Sequence, residues 1–171
     1  MKKSLLLLSL FFAFSTVNAQ DVSIDGRLKP FLDDFFALCK EYNIDYHENL
    51  FKLKKIAIVQ DLQTGPEGST LGMVQRDANG QVENIVVNWV AMLDQEILKV
   101  VAFHEFGHYF LGYDAHVCND CGIIMSVVNS SYFDIANDWE NQITILFQDS
   151  PAYKNRNNSL VTTTSVAYPQ Q

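Results

Sequence analysis

DQEILKVVAFHEFGHYFLG, Asp94 to Gly112, is the stretch whose reading decides the fold. Asp94 suits a helix start, because its carboxylate can accept from backbone N–H groups that have no partner there. From about Gln95 to Leu111 the chain is apolar nearly all round, with Ile97, Leu98, Val100, Val101, Phe103, Phe106 and Phe110 spread over every face. A helix of that kind is buried at the centre of a domain, and Gly112 is a natural stop. Within it stand His104, Glu105 and His108, groups that need partners when buried. Residues four apart on a helix are separated by about 400° of rotation and roughly 6 Å of rise. His104 and His108 therefore project from one face and can reach one ion. A catalytic zinc takes three protein ligands and keeps a position for water, whose pKa it lowers to about 7. Glu105 is turned off the histidine stripe yet close enough to take the proton of that metal-activated water, the work of a general base.

Elements expected around this helix follow from the flanking sequence. Leu28, Phe31, Leu32, Phe35, Phe36 and Cys39 fall at helical spacing, so Pro30 to Tyr42 reads as an amphipathic helix with proline in its first turn. Lys55 to Val59 is β-branched and apolar and reads as a strand. The basic run Lys52 to Lys55 reads as a solvated strand edge. Gln63 to Ser69 reads as a loop. Thr70 to Arg76 and Gln81 to Asn88 form an expected hairpin about Asn79-Gly80, a pair that tolerates the positive φ angles of a tight turn. Tyr113 to Asn129 is a connecting loop, and Asp138 to Gln148 a last helix. The expected class is α+β: a small mixed sheet packed on a central active-site helix, with a C-terminal helix.

The chain has 171 residues, a length that suits one domain. Met1-Lys2-Lys3, the apolar run Ser4 to Phe14 and the small residues of Val17-Asn18-Ala19 make the three parts of a secretory signal, with cleavage expected after Ala19. Its apolar run is shorter than the roughly 20 residues a membrane span needs, and no cysteine follows the cleavage point to carry a lipid anchor. The expected location is outside the cytoplasm, secreted or periplasmic, with a domain over 20–153 and an irregular polar tail over 154–171. The formal net charge of −8 argues against nucleic acid as a partner. Export also places Cys39, Cys118 and Cys121 in a disulfide-permissive compartment. A disulfide that stiffens the loop flanked by Cys118 and Cys121 is preferred over redox or second-metal work; the pairing among the three cysteines stays open, and the odd count leaves one thiol free or paired between chains.

Three of the four histidines lie within thirteen residues, His104, His108 and His116. Here the chain resembles the metzincin metallopeptidases, and in particular small secreted bacterial ones. Their pattern is His-Glu-x-x-His-x-x-Gly-x-x-His followed by a Met-turn. In this sequence Gly112 comes one residue later than in the pattern and His116 two residues later. His116 is favoured as third ligand because imidazole is the commonest zinc ligand. Asp114, at the pattern's own spacing, and Glu140, on a later helix as in thermolysin-like enzymes, stay open. Gly122-Ile123-Ile124-Met125-Ser126 looks like the Met-turn, with Met125 as the apolar floor of the site. Tyr132 is a candidate donor to a developing oxyanion, a buried aromatic being its plainer role. The resemblance covers about Asp94 to Phe147. It implies a zincin-like fold, one Zn2+, and hydrolysis of a peptide or protein substrate with Glu105 as base. The alternative is a non-catalytic, zinc-stabilised binding module on the same fold.

Overall fold

The computed structural model describes residues 21–65, 68–127 and 131–156. The expected signal segment, residues 1–19, lies outside them. The chain runs β1 (Ser23–Ile24), α1 (Lys29–Glu41), α2 (His47–Lys52), β2 (Lys55–Val59), β3 (Thr64–Gly65), β4 (Gly68–Ser69), β5 (Gly72–Arg76) and β6 (Val82–Asn88). A 3-10 turn, Trp89–Leu93, leads into α3 (Gln95–Phe110), and α4 (Tyr132–Asn137) and α5 (Trp139–Gln148) follow. The four-stranded sheet has the order β1-β2-β6-β5; β1, β2 and β6 are parallel and β5 is antiparallel at the edge. This is an α+β architecture with a small mixed sheet and helices packed on α3.

The central helix forms where its sequence places it. Asp94 Oδ1 accepts from the backbone N–H of Glu96 at 2.8 Å and of Ile97 at 3.3 Å. At the other end Gly112 adopts φ +76°, the left-handed conformation that ends a helix cheaply only with glycine. In between, Leu98, Val100, Ala102, Phe103, Phe106 and Phe110 are buried. Phe35 on α1 ties the layers together: its ring lies 5.4 Å from Phe103, 5.4 Å from Phe106 and 5.3 Å from Phe147 on α5. On the sheet side, Ile85 and Val87 of β6 are fully buried against the same core.

Four expectations change. Lys52 to Lys55 is no strand edge, because β2 pairs on both sides, Leu53 is fully buried, and Lys54 is ion-paired with Glu83 on β6. The segment expected as loop over Gln63 to Ser69 contains the two-residue strands β3 and β4, paired antiparallel. The hairpin turn spans Asp77 to Gln81, with Asp77 Oδ1 accepting from Asn79 N and Gln81 N, and Gly80 rather than the Asn79-Gly80 pair takes the positive φ, +79°. Residues 151–156 are helical, so the first three residues of the expected tail belong to a helix; 157–171 lie outside the described residues. Among the described residues, no helix is long and apolar enough to cross a membrane.

Candidate metal centre

His104 and His108 stand one turn apart on α3, and their Nε2 atoms are 3.1 Å apart. His116 comes from the loop after α3, and its Nε2 lies 3.1 Å from that of His104. The ligand atoms of the three residues fall within 4.8 Å of one another, close enough to hold one metal ion. Asp114 lines the same cleft but is not part of this group, and Glu140 sits exposed on α5 outside it.

The other ring nitrogens explain the orientation. His104 Nδ1 is 2.6 Å from the Ile124 carbonyl and His108 Nδ1 is 2.5 Å from the Tyr113 carbonyl. A carbonyl only accepts, so each Nδ1 carries the proton and donates it. In neutral rings this leaves both Nε2 atoms as bare lone pairs facing each other. Burial keeps His104 neutral, pushing its pKa down to about 4, and burial likewise lowers that of His116. Two lone pairs at this distance repel unless a cation lies between them. The donor set therefore fits a metal, and tethering of the far ring nitrogen is the usual arrangement behind a histidine ligand.

The loop that brings His116 back is clipped to the turn that carries Met125. Val117 N donates to the Met125 carbonyl at 2.9 Å and Val127 N to the Cys118 carbonyl at 3.0 Å. Beside those bonds Cys118 and Cys121 form a disulfide, and Cys39 is a buried free thiol, its pKa pushed up to about 12 by burial. Met125 is 2 % exposed and packs beneath α3 against Gly107, where an added Cβ would meet its Sδ at 2.8 Å. A glycine between the two helical histidines is what lets this sulfur approach. Gln142 on α5 fixes the turn from behind: its Oε1 accepts from Ile124 N at 3.2 Å and its Nε2 donates to the Gly122 carbonyl at 3.0 Å.

Glu105 is 5 % exposed, and no described residue donates a hydrogen bond to its carboxylate. Burial raises its pKa to about 8. The carboxylate lies against Gly72 of β5. Tyr132 on α4 is half-buried and lines the same cleft; burial and then the Glu105 charge raise its pKa. The cleft, about 670 Å³, is bounded by β5, by α3 with His104, Glu105 and His108, and by the loop residues His116, Ser126 and Val127. Gly72, Gln142 and the Ile124 and Tyr113 carbonyls went unnoticed in the sequence. Only Gly72 carried a signal, a glycine inside a strand pattern, which often marks a close backbone approach.

Compared with known protein families, curated proteins and solved structures, the chain matches none. The functional reading therefore rests on the residues themselves.

Proposed function

We propose that this chain is an exported zinc-dependent peptidase with a zincin-like fold, resembling the metzincins. One observation carries the reading. Three Nε2 atoms converge with two of the rings tethered through Nδ1, and beside His104 on α3 stands Glu105, a buried carboxylate with no donor among the described residues. Three imidazoles with borderline-soft nitrogen suit zinc, and three ligands leave the position that catalysis needs. A zinc ion held by His104, His108 and His116 would supply a Lewis acid that polarises a carbonyl and acidifies water.

The remaining work falls to the chain. β5 is an edge strand that lines the cleft, so an extended peptide can add to its open side and lay a backbone carbonyl over the histidines. Glu105 takes the proton of the attacking water and returns it to the leaving amine. The Tyr132 hydroxyl, kept protonated by burial, donates to the oxyanion as it forms. A purely structural zinc site would be closed by a fourth ligand and has no use for a carboxylate buried beside it, which weighs against the binding-module alternative.

Metal analysis of the purified protein, joined to cleavage of a peptide library, tests this. The expected result is about one zinc per chain and cleavage that the Glu105→Gln variant loses by about 10²–10⁴-fold while keeping its zinc. A zinc-loaded wild type that cleaves no peptide would leave the binding module as the better reading.

A further inference from the structure

The Glu105 carboxylate lies against the one residue of β5 that has no side chain. An ideal Cβ built on Gly72 would stand 2.3 Å from Glu105 Oε1, 2.6 Å from its Cγ and 2.7 Å from its Cδ. Non-bonded heavy atoms do not approach that closely, so the carboxylate in its present place and any side chain at 72 exclude each other. The backbone conformation does not ask for glycine. Its φ is not in the left-handed region, and glycine inside a strand costs stability. Gly72 pairs with the fully buried Val87, and two residues on Val74 packs into the core, so an alternating strand would place an apolar side chain at 72.

We propose that Gly72 is a positioning residue. The space left by its missing side chain is the seat of the Glu105 carboxylate, and β5 thereby fixes the base in the cleft beside His104 and His108. The catalytic part of this rests on Glu105 being the base; the seat itself does not. The atoms met, Oε1, Cδ and Cγ, all belong to one unbranched side chain and none to backbone, so a methyl at 72 is expected to displace the carboxylate without unfolding the domain. Displacement of about 1 Å in a catalytic group can cost about 10²-fold in rate.

The test is a double-mutant cycle on the zinc-loaded protein with Gly72→Ala, Glu105→Ala and the pair together. Thermal unfolding, zinc stoichiometry, kcat and KM are read for each. Gly72→Ala is expected to lower Tm when Glu105 is present. It is expected to raise Tm in the Glu105→Ala background, where the seat is empty and alanine only restricts the unfolded chain. Gly72→Ala alone should keep its zinc and its KM while kcat falls about 10²-fold. An equal Tm shift in both backgrounds overturns the proposed seat. Coupling in Tm together with a wild-type kcat overturns the positioning role. If the zinc-loaded wild type cleaves no peptide, the peptidase reading fails, and the Tm cycle by itself decides whether residue 72 seats the carboxylate.

Discussion

His104 donates from Nδ1 to the carbonyl of Ile124 at 2.6 Å, so the orientation of the first of the two helical histidines is set by a backbone atom twenty residues away. That backbone is itself held. Gln142, 5 % exposed on α5, bonds Ile124 N with its Oε1 and the Gly122 carbonyl with its Nε2. The path from α5 to His104 thus runs through one side chain and one turn.

Gln142→Leu keeps similar bulk but strips both bonds from the turn. A buried donor and acceptor left unpaired cost about 1–3 kcal/mol each when no water replaces the partner. Loss of a group that orients a ligand typically lowers metal affinity about 10–100-fold. Competition against a chromophoric chelator should show that weakening, and denaturation should show the lost stability. Unchanged metal affinity in a destabilised variant would mean that Ile124 holds its place without α5.

Metal binding should appear as stability. A ligand that binds only the folded chain adds about 4 kcal/mol at a thousandfold excess over its Kd. Dialysis against a strong chelator is therefore expected to lower Tm, and added zinc to restore it. His116→Ala removes one of three converging nitrogens and should abolish both tight binding and the Tm gain. Asp114→Ala should leave most of each, because Asp114 lies outside the group of three. The reverse ranking would give Asp114 the third position.

The parts legible in the sequence were those set by neighbours along the chain. α3 could be bounded because Asp94 and Gly112 act locally, and the i,i+4 spacing put His104 and His108 on one face. β2 showed as a β-branched apolar run, and β5 and β6 as the two arms of a hairpin about Asn79-Gly80. The short elements were not legible, because they exist through distant partners: β1 is two residues that pair with Lys55 and Ile56, and α2 buries no residue of its own. The support of the site was hidden for a related reason. Carbonyls of Ile124 and Tyr113 have no sequence signature, and Gln142 reaches its turn across eighteen residues.

Acid should loosen the entry to α1. Asp25 receives side-chain hydrogen bonds from Arg27, Nε to Oδ1 at 2.9 Å and Nη2 to Oδ2 at 2.6 Å, and also one from the Arg27 backbone N–H. These bonds, the side-chain ones foremost, hold its pKa down at about 2. A lowered folded-state pKa gives stability that is present at neutral pH and is lost as pH falls from about 4 toward about 2. Solvent screening keeps the gain small, because the Arg27 side chain is 55 % exposed. Asp25→Asn should therefore unfold at lower urea than wild type at neutral pH and match it near pH 2. A difference that persists in acid would point to lost packing in place of the charge.

The disulfide should matter more to the metal than to the fold. Cys118 and Cys121 close a loop of only a few residues, and the chain-entropy account gives such a loop about 2 kcal/mol at most. Its place is more telling than its size. The bond lies beside Val117 N to Met125 O and Val127 N to Cys118 O, two backbone bonds that join the His116 segment to the turn carrying Met125. The Ser126 hydroxyl sits 3.3 Å from Cys118 Sγ and 3.5 Å from Cys121 Sγ, so the sulfurs also pack on the residue that follows Met125. Opening the disulfide frees an exposed segment two residues from His116, while α3 keeps His104 and His108 in register through its own hydrogen bonds. The Cys118→Ser, Cys121→Ser double variant is thus expected to unfold only a few degrees below wild type when metal-free, since about 1 kcal/mol moves Tm by roughly 2–4 °C in a domain of this size. Its metal affinity should fall by a larger factor, toward that of His116→Ala. Isothermal titration with zinc, run beside unfolding of the metal-free forms, measures both. A variant with wild-type affinity would show that the two backbone bonds hold His116 unaided. A variant that no longer folds would show that this loop carries part of the core.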